Sequence, residues 1–182
     1  MEVALLLLLV IPYLVIRYFV IDHDTQTDKD RQRFNQGIQL IQKHQFSEAL
    51  LYFDQAVVQH PKSAVAYAYR GRCNLKHANY YSAIYDLTHA LSLDNTIADA
   101  YVDKGIAFYK LEMNQDAFRE FDKGVWHQRG QSPDAFRWRA LARIQLQQLP
   151  QAENDLKRAV ALGDENAAFL LNQPPFSRKV LF

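Results

Sequence analysis

Cys73 and His77 stand four residues apart, one helical turn, and His89 follows twelve residues later. A thiol beside an imidazole can form a reactive thiolate pair or supply two zinc ligands, so this stretch is where chemistry would be sought first. The rest of the chain supplies no companions. Cys73 is the only cysteine, which excludes an intrachain disulfide and the thiolate-rich structural zinc sets. The six histidines include no HExxH and no pair at a familiar ligand spacing with a nearby carboxylate. An enzyme built on Cys73 and His77 would lack a base and an oxyanion donor set, so the chain is expected to have no enzymatic activity, no cofactor and no metal.

Charge excludes a further class. A formal net charge of +1, with 23% charged residues, provides no basic field for a polyanion, and no nucleic-acid partner is expected.

The elements that would position any site fall into unlike segments. Val3 to Ile21 is nineteen residues long, and fourteen of them are Leu, Ile, Val or Phe. At about 1.5 Å per residue such a helix reaches about 28 Å, close to the hydrocarbon thickness of a bilayer. Those fourteen residues favour insertion by roughly 4 to 8 kcal/mol, against at most about 3.5 for Arg17. Residues 1–21 are therefore expected to be a transmembrane anchor in contact with lipid. A cleaved signal fits less well, because only Met1 and Glu2 precede the apolar run and no small-x-small site follows. Arg17, Lys29, Arg31 and Arg33 lie on the far side, which places the remainder in the cytoplasm. Residues 22–29 have no apolar member among them and read as a polar linker.

Beyond the linker, apolar residues recur at helical spacing and no stretch alternates as a strand would. Gly37, Gly71, Gly105 and Ala140 are separated by 34, 34 and 35 residues. In the same register stand Ala49, Ala83, Ala117 and Ala152, then Phe53, Leu87, Phe121 and Leu156, then Ala56, Ala90, Gly124 and Ala159. Antiparallel helices approach closely only where side chains are small, so these columns mark crossing points between paired helices. One pair cannot bury its own apolar face, and stacking of neighbours completes the core.

The pattern resembles the tetratricopeptide repeat, over about residues 30–164. The resemblance implies an all-α, right-handed superhelical solenoid of about four helix-turn-helix repeats, at 30–63, 64–97, 98–132 and 133–164. A capping helix and a proline-containing tail would occupy 165–182. Cys73 then becomes one column among others, with Gln39, Ala107 and Ala142 as its equivalents, and is expected to be a packing residue.

The resemblance also implies a concave groove lined by first-helix residues: Phe34, Ile38, Tyr69, Arg72, Asp103, Tyr109 and Trp138, with Ile41, Lys76, Asp99, Asp134 and Arg137 nearby. Tyr, Trp and Arg are enriched at binding hot spots. The expected partner is a protein or peptide. A subset of the family clamps chaperone tails with first-helix lysines and asparagines, whereas Phe34, Ile38 and Tyr69 stand at those positions here. The chain is also similar to anchored bacterial repeat proteins that regulate envelope lipid assembly, but lacks the cysteines of their terminal metal knuckle. Anchored repeat proteins of this size also assist assembly of membrane complexes. The expected role is that of a membrane-anchored adaptor or scaffold in the assembly or stabilisation of a membrane protein complex, or of a stable accessory subunit of one.

Overall fold

The computed structural model describes residues 10–14 and 25–177. Most of the expected anchor, Val3 to Ile21, lies outside the described residues, as do 178–182 of the tail; residues 10–14 are helical. Among the described residues no helix is long and apolar enough to cross a membrane.

From Thr25 onward the regular elements of the described residues are all helices. The helices are α1 (Gln26–Arg33), α2 (Asn35–Gln42), α3 (Phe46–Gln59), α4 (Ala64–Lys76), α5 (Tyr80–Leu93), α6 (Ala98–Lys110), α7 (Asn114–His127), α8 (Pro133–Gln145), α9 (Leu149–Ala161) and α10 (Glu165–Leu171). Local chemistry starts many of them. Ser63, Ser132 and Asp164 accept hydrogen bonds at the beginnings of α4, α8 and α10, and Pro133 adds a φ already suited to the first helical position.

The turn inside each helix pair has one recurring form. His44, Ala78, Glu112 and Gln147 all have φ near +60°, and they too are spaced 34, 34 and 35 apart. The amide of the next residue closes a six-to-one bond back into the helix, as from Gln45 to Leu40 and from Met113 to Phe108. This is the Schellman ending, usually made by glycine. Here it is made four times without one.

The pairs α2/α3, α4/α5, α6/α7 and α8/α9 stack in chain order, and α10 packs on α9. Every member of the four columns is buried, with Ala49, Ala83, Ala117, Ala152, Phe53, Leu87, Phe121 and Leu156 fully so. At Gly37, Gly71 and Gly105 an added Cβ would lie 2.4, 2.8 and 2.6 Å from Tyr52, Leu87 and Phe121. The glycines therefore sit where helices touch.

Two expectations are corrected. Residues 22–29 are not a linker throughout, because Gln26 to Lys29 belong to α1, which opens with a capping box between Thr25 and Asp28. The helix has no apolar face. It is held by polar contacts: the buried Asp30 accepts from Gln26, Arg33 and Ser63, and Thr27 donates to Asp94. Phe34, assigned to the groove, lies instead in the core at the junction of α1 and α2, edge-on to Phe53 and His60. The ring removes more apolar area from water there than an open groove allows.

Candidate functional site

The first helices of the pairs line a wide hollow open to solvent. Ile41 and His44 stand at one end, Arg72 and Lys76 of α4 and Asp99, Asp103 and Ile106 of α6 in the middle, and Asp134, Arg137 and Trp138 of α8 at the other. A narrower recess adjoins it, bounded by Tyr69, Arg72, Ile97, Asp99, Asp103 and Arg31 of α1. Tyr69, Arg72, Asp103 and Trp138 thus share one continuous surface. Tyr109 adjoins it through an edge-to-face contact with Trp138, ring centroids 5.9 Å apart, and faces Lys110 and Gln145 at the rim. Ile38 is half-buried against the core, and Phe34 is the one member of the expected set withdrawn from the surface.

The helices dictate these placements. Tyr69 stacks on the buried Phe53 at 5.4 Å, and Trp138 stacks on the buried Phe121 at 6.0 Å, so each ring has one face on the core and one edge toward the hollow. Arg72 Nε donates to Asp103 Oδ2 at 2.6 Å, across from α4 to α6, and Nη2 approaches Asp99 at 3.4 Å. Its guanidinium lies over the Tyr69 ring. Asp103 opposite holds Arg72 more firmly protonated than an ordinary arginine, against the cost of burial. Arg137 is tied to Asp164 Oδ2 at 2.7 Å and to Asp134. The hollow is therefore lined by aromatic edges and by charges already paired. Lys76, exposed and lying over the Phe46 ring, contributes a further cation.

The opening pair does not converge. Cys73 is fully buried, and burial pushes its thiol up to about 12, so it carries almost no thiolate at neutral pH. His77 caps α4 at the surface, and His89 packs edge-on to Tyr67 at 4.3 Å. Among the equivalents of Cys73, Ala107 and Ala142 are also fully buried and Gln39 is exposed.

Sequence reasoning missed a set of ion pairs that fixes the helices bearing the hollow. Arg70 on α4 binds Asp86 on α5 through Nε at 2.9 Å and Nη2 at 2.6 Å, and reaches Asp54 on α3 at 3.4 Å. Arg139 on α8 repeats this with Asp155 on α9, at 2.9 and 2.7 Å, and with Asp122 on α7 at 2.7 Å. Lys104 and Glu120 occupy the same positions between α6 and α7, at 3.5 Å. Opposite charges sixteen residues apart, in the register of the small residues, were the available signal.

No family model matches the chain. Over 87 residues, 48% of this chain, it is 33% identical to a protein SGT1 homolog of Oryza sativa subsp. japonica, of which it covers 24%. Over 98 residues, 54% of this chain, it is 22% identical to a Hsp70-Hsp90 organizing protein of Triticum aestivum, of which it covers 16%. The chain spans about a quarter or less of the length of these curated relatives. Among solved structures, the crystal structure of MamA superposes with a TM-score of 0.64 at 19% identity, covering 81% of this chain and 99% of that one. The APC/C hetero-tetramer Cut9-Hcn1 gives 0.72 at 18% identity, over 77% of this chain and 28% of that one. The first TPR of Spaghetti (RPAP3) bound to HSP90 peptide SRMEEVD gives 0.58 at 23%, over 60% of this chain and 88% of that one. The fold is that of an all-helical, tetratricopeptide-like solenoid.

Proposed function

We propose that this chain is a membrane-anchored adaptor whose repeat domain, on the cytoplasmic side, binds a protein or peptide partner in the hollow, in the assembly or stabilisation of a membrane protein complex. One observation carries the reading. Tyr69, Arg72, Asp103 and Trp138, contributed by three different helices, converge on one continuous open surface. Hot-spot residue types are held there in advance by core stacking and a short ion pair, so a partner need not order them on binding. A solved neighbour with the same fold is bound to a peptide, which supports a peptide as the occupant here. The recognition differs from a carboxylate clamp, because Arg72 and Arg137 are already neutralised by aspartates and Phe34 is withdrawn into the core. Anchoring rests on the apolar run Val3 to Ile21.

The chain acts without chemistry of its own, with Cys73 as a packing residue. A photoreactive residue in place of Tyr109, activated in intact membranes, should capture the partner. Adding Trp138→Ala or Arg72→Met should cut the captured yield at least tenfold, in variants that circular dichroism shows to be folded. Undiminished capture in both variants removes the hollow as the binding surface. Loss of cellular function on Cys73→Ala, in a protein that still folds, would restore the enzymatic reading.

A further inference from the structure

The loops joining one helix pair to the next all lie along one edge of the stack, where α3, α5, α7 and α9 end and α4, α6, α8 and α10 begin. Helix α1 is fastened along this edge. Its Asp30 takes the hydroxyl of Ser63 at the start of α4, and its Thr27 donates to Asp94 in the loop before α6. Thr25, at the head of α1, is therefore held near the second of these loops, the one before α6. Only residues 22–24 stand between Thr25 and the apolar run that closes at Ile21. Four steps of extended chain reach at most about 14 Å, half of what a tether from 22 to 29 would allow. Roughly half of that length is taken up by the headgroup layer itself.

The same edge carries an unusual surface. Each second helix finishes on an exposed apolar residue: Val58, 79% exposed, Leu93, Trp126, 75% exposed, and Leu162 just after α9. Trp126 and Arg129 border a shallow depression with Asn95 and Thr96, the two residues after the aspartate that holds Thr27. Lys62 and Arg129, both exposed, add cations on the loops. Exposed tryptophan with flanking Lys and Arg is the chemistry of the membrane–water interface.

We propose that this loop edge, presenting Val58, Lys62, Leu93, Trp126 and Arg129, docks on the phospholipid headgroups of the membrane that Val3 to Ile21 enters. The inference rests on the anchoring reading above. It adds that the solenoid is held edge-on to the bilayer, with the opposite edge, where Tyr81 and Met113 stand, turned away. The hollow then opens along the membrane plane.

The test uses the full chain in vesicles of phosphatidylcholine with one quarter phosphatidylglycerol. Trp138→Phe leaves Trp126 as the lone tryptophan, because the chain has two. A control carries Tyr81→Trp with Trp126→Phe and Trp138→Phe, and circular dichroism confirms that each variant is folded. With phosphatidylcholine brominated at the upper acyl carbons, Trp126 should lose more than half of its emission, and the tryptophan at position 81 almost none. Lys62→Glu with Arg129→Glu should restore most of the Trp126 emission without releasing the chain from floated vesicles. A chain that floats while Trp126 stays unquenched overturns the docking, leaves the anchor standing and gives the edge to a protein partner. A chain that does not float overturns both.

Discussion

Arg139 grips Asp155 with two parallel hydrogen bonds of 2.9 and 2.7 Å across sixteen residues of sequence, and Arg70 grips Asp86 in the same way one pair of repeats earlier. The middle copy is weaker, since Lys104 reaches only one oxygen of Glu120 and the other, Oε2, is buried without a partner among the described residues. A guanidinium presents two donors where an ammonium presents a point charge. Lys104→Arg is therefore expected to stabilise the fold by about 1 kcal/mol, raising the melting temperature by a few degrees. Arg70→Ala should cost about 3 kcal/mol, because the buried Asp86 would keep only Asn74 as a partner. Thermal denaturation of the two variants checks both signs.

The left-handed turn residues make an opposite kind of prediction. Ala78 and Glu112 hold φ values of 59° and 61°, which cost an L-residue roughly 1–2 kcal/mol and glycine little. Part of the gain from glycine is returned through the entropy of the unfolded chain. Ala78→Gly and Glu112→Gly should each raise stability by about 0.5–1 kcal/mol. Urea titration should show a higher midpoint with an unchanged slope.

At the crossing points the sign reverses. A methyl at Gly105 would lie 2.6 Å from two atoms of the Phe121 ring, which is fully buried and cannot swing aside. Gly105→Ala is expected to destabilise by about 1–3 kcal/mol, and Gly71→Leu by more. A melting temperature unmoved by Gly71→Leu would mean that α4 and α5 do not meet where the small residues put them.

Acid should loosen the two ends of the stack. Burial acts to raise the carboxyls of Asp94 and Asp164, but hydrogen bonds outweigh it. Thr27 and Thr96 hold Asp94 below the ordinary carboxylate value, and Arg137 with the amides of Ala167 and Asn166 does the same for Asp164. A folded pKa below the unfolded one contributes stability that is complete above about pH 4 and is lost as pH falls through the folded value. The contribution of these two carboxylates to the melting temperature should be level from neutral pH down to that point and then fall. Asp164→Asn should flatten part of the fall, and hydrogen exchange should show α1 and α10 opening first.

The stacking register could be read without coordinates. Gly37, Gly71, Gly105 and Ala140 recur because two helices can touch only over small side chains, a local demand made again in every copy. The charge pairs at sixteen residues carry the same interval and were equally open to inspection, whereas the left-handed turns, made by His44, Ala78, Glu112 and Gln147, have no residue type in common. The course of α1 was not, since QTDKDRQR has no apolar periodicity and its partners Ser63 and Asp94 lie more than thirty residues away. Phe34 shares a repeat position with groove residues, yet the bend between α1 and α2 turns its ring into the core.

Spacing alone thus determined that helices pair, where they cross and how many times the unit recurs, because close approach depends on side-chain size at fixed intervals. Only the tertiary structure decided that α1 is fastened across the loop edge and that Tyr69, Arg72, Asp103 and Trp138 share one surface. Those outcomes come from contacts between residues remote along the chain, whose free energies no periodicity encodes.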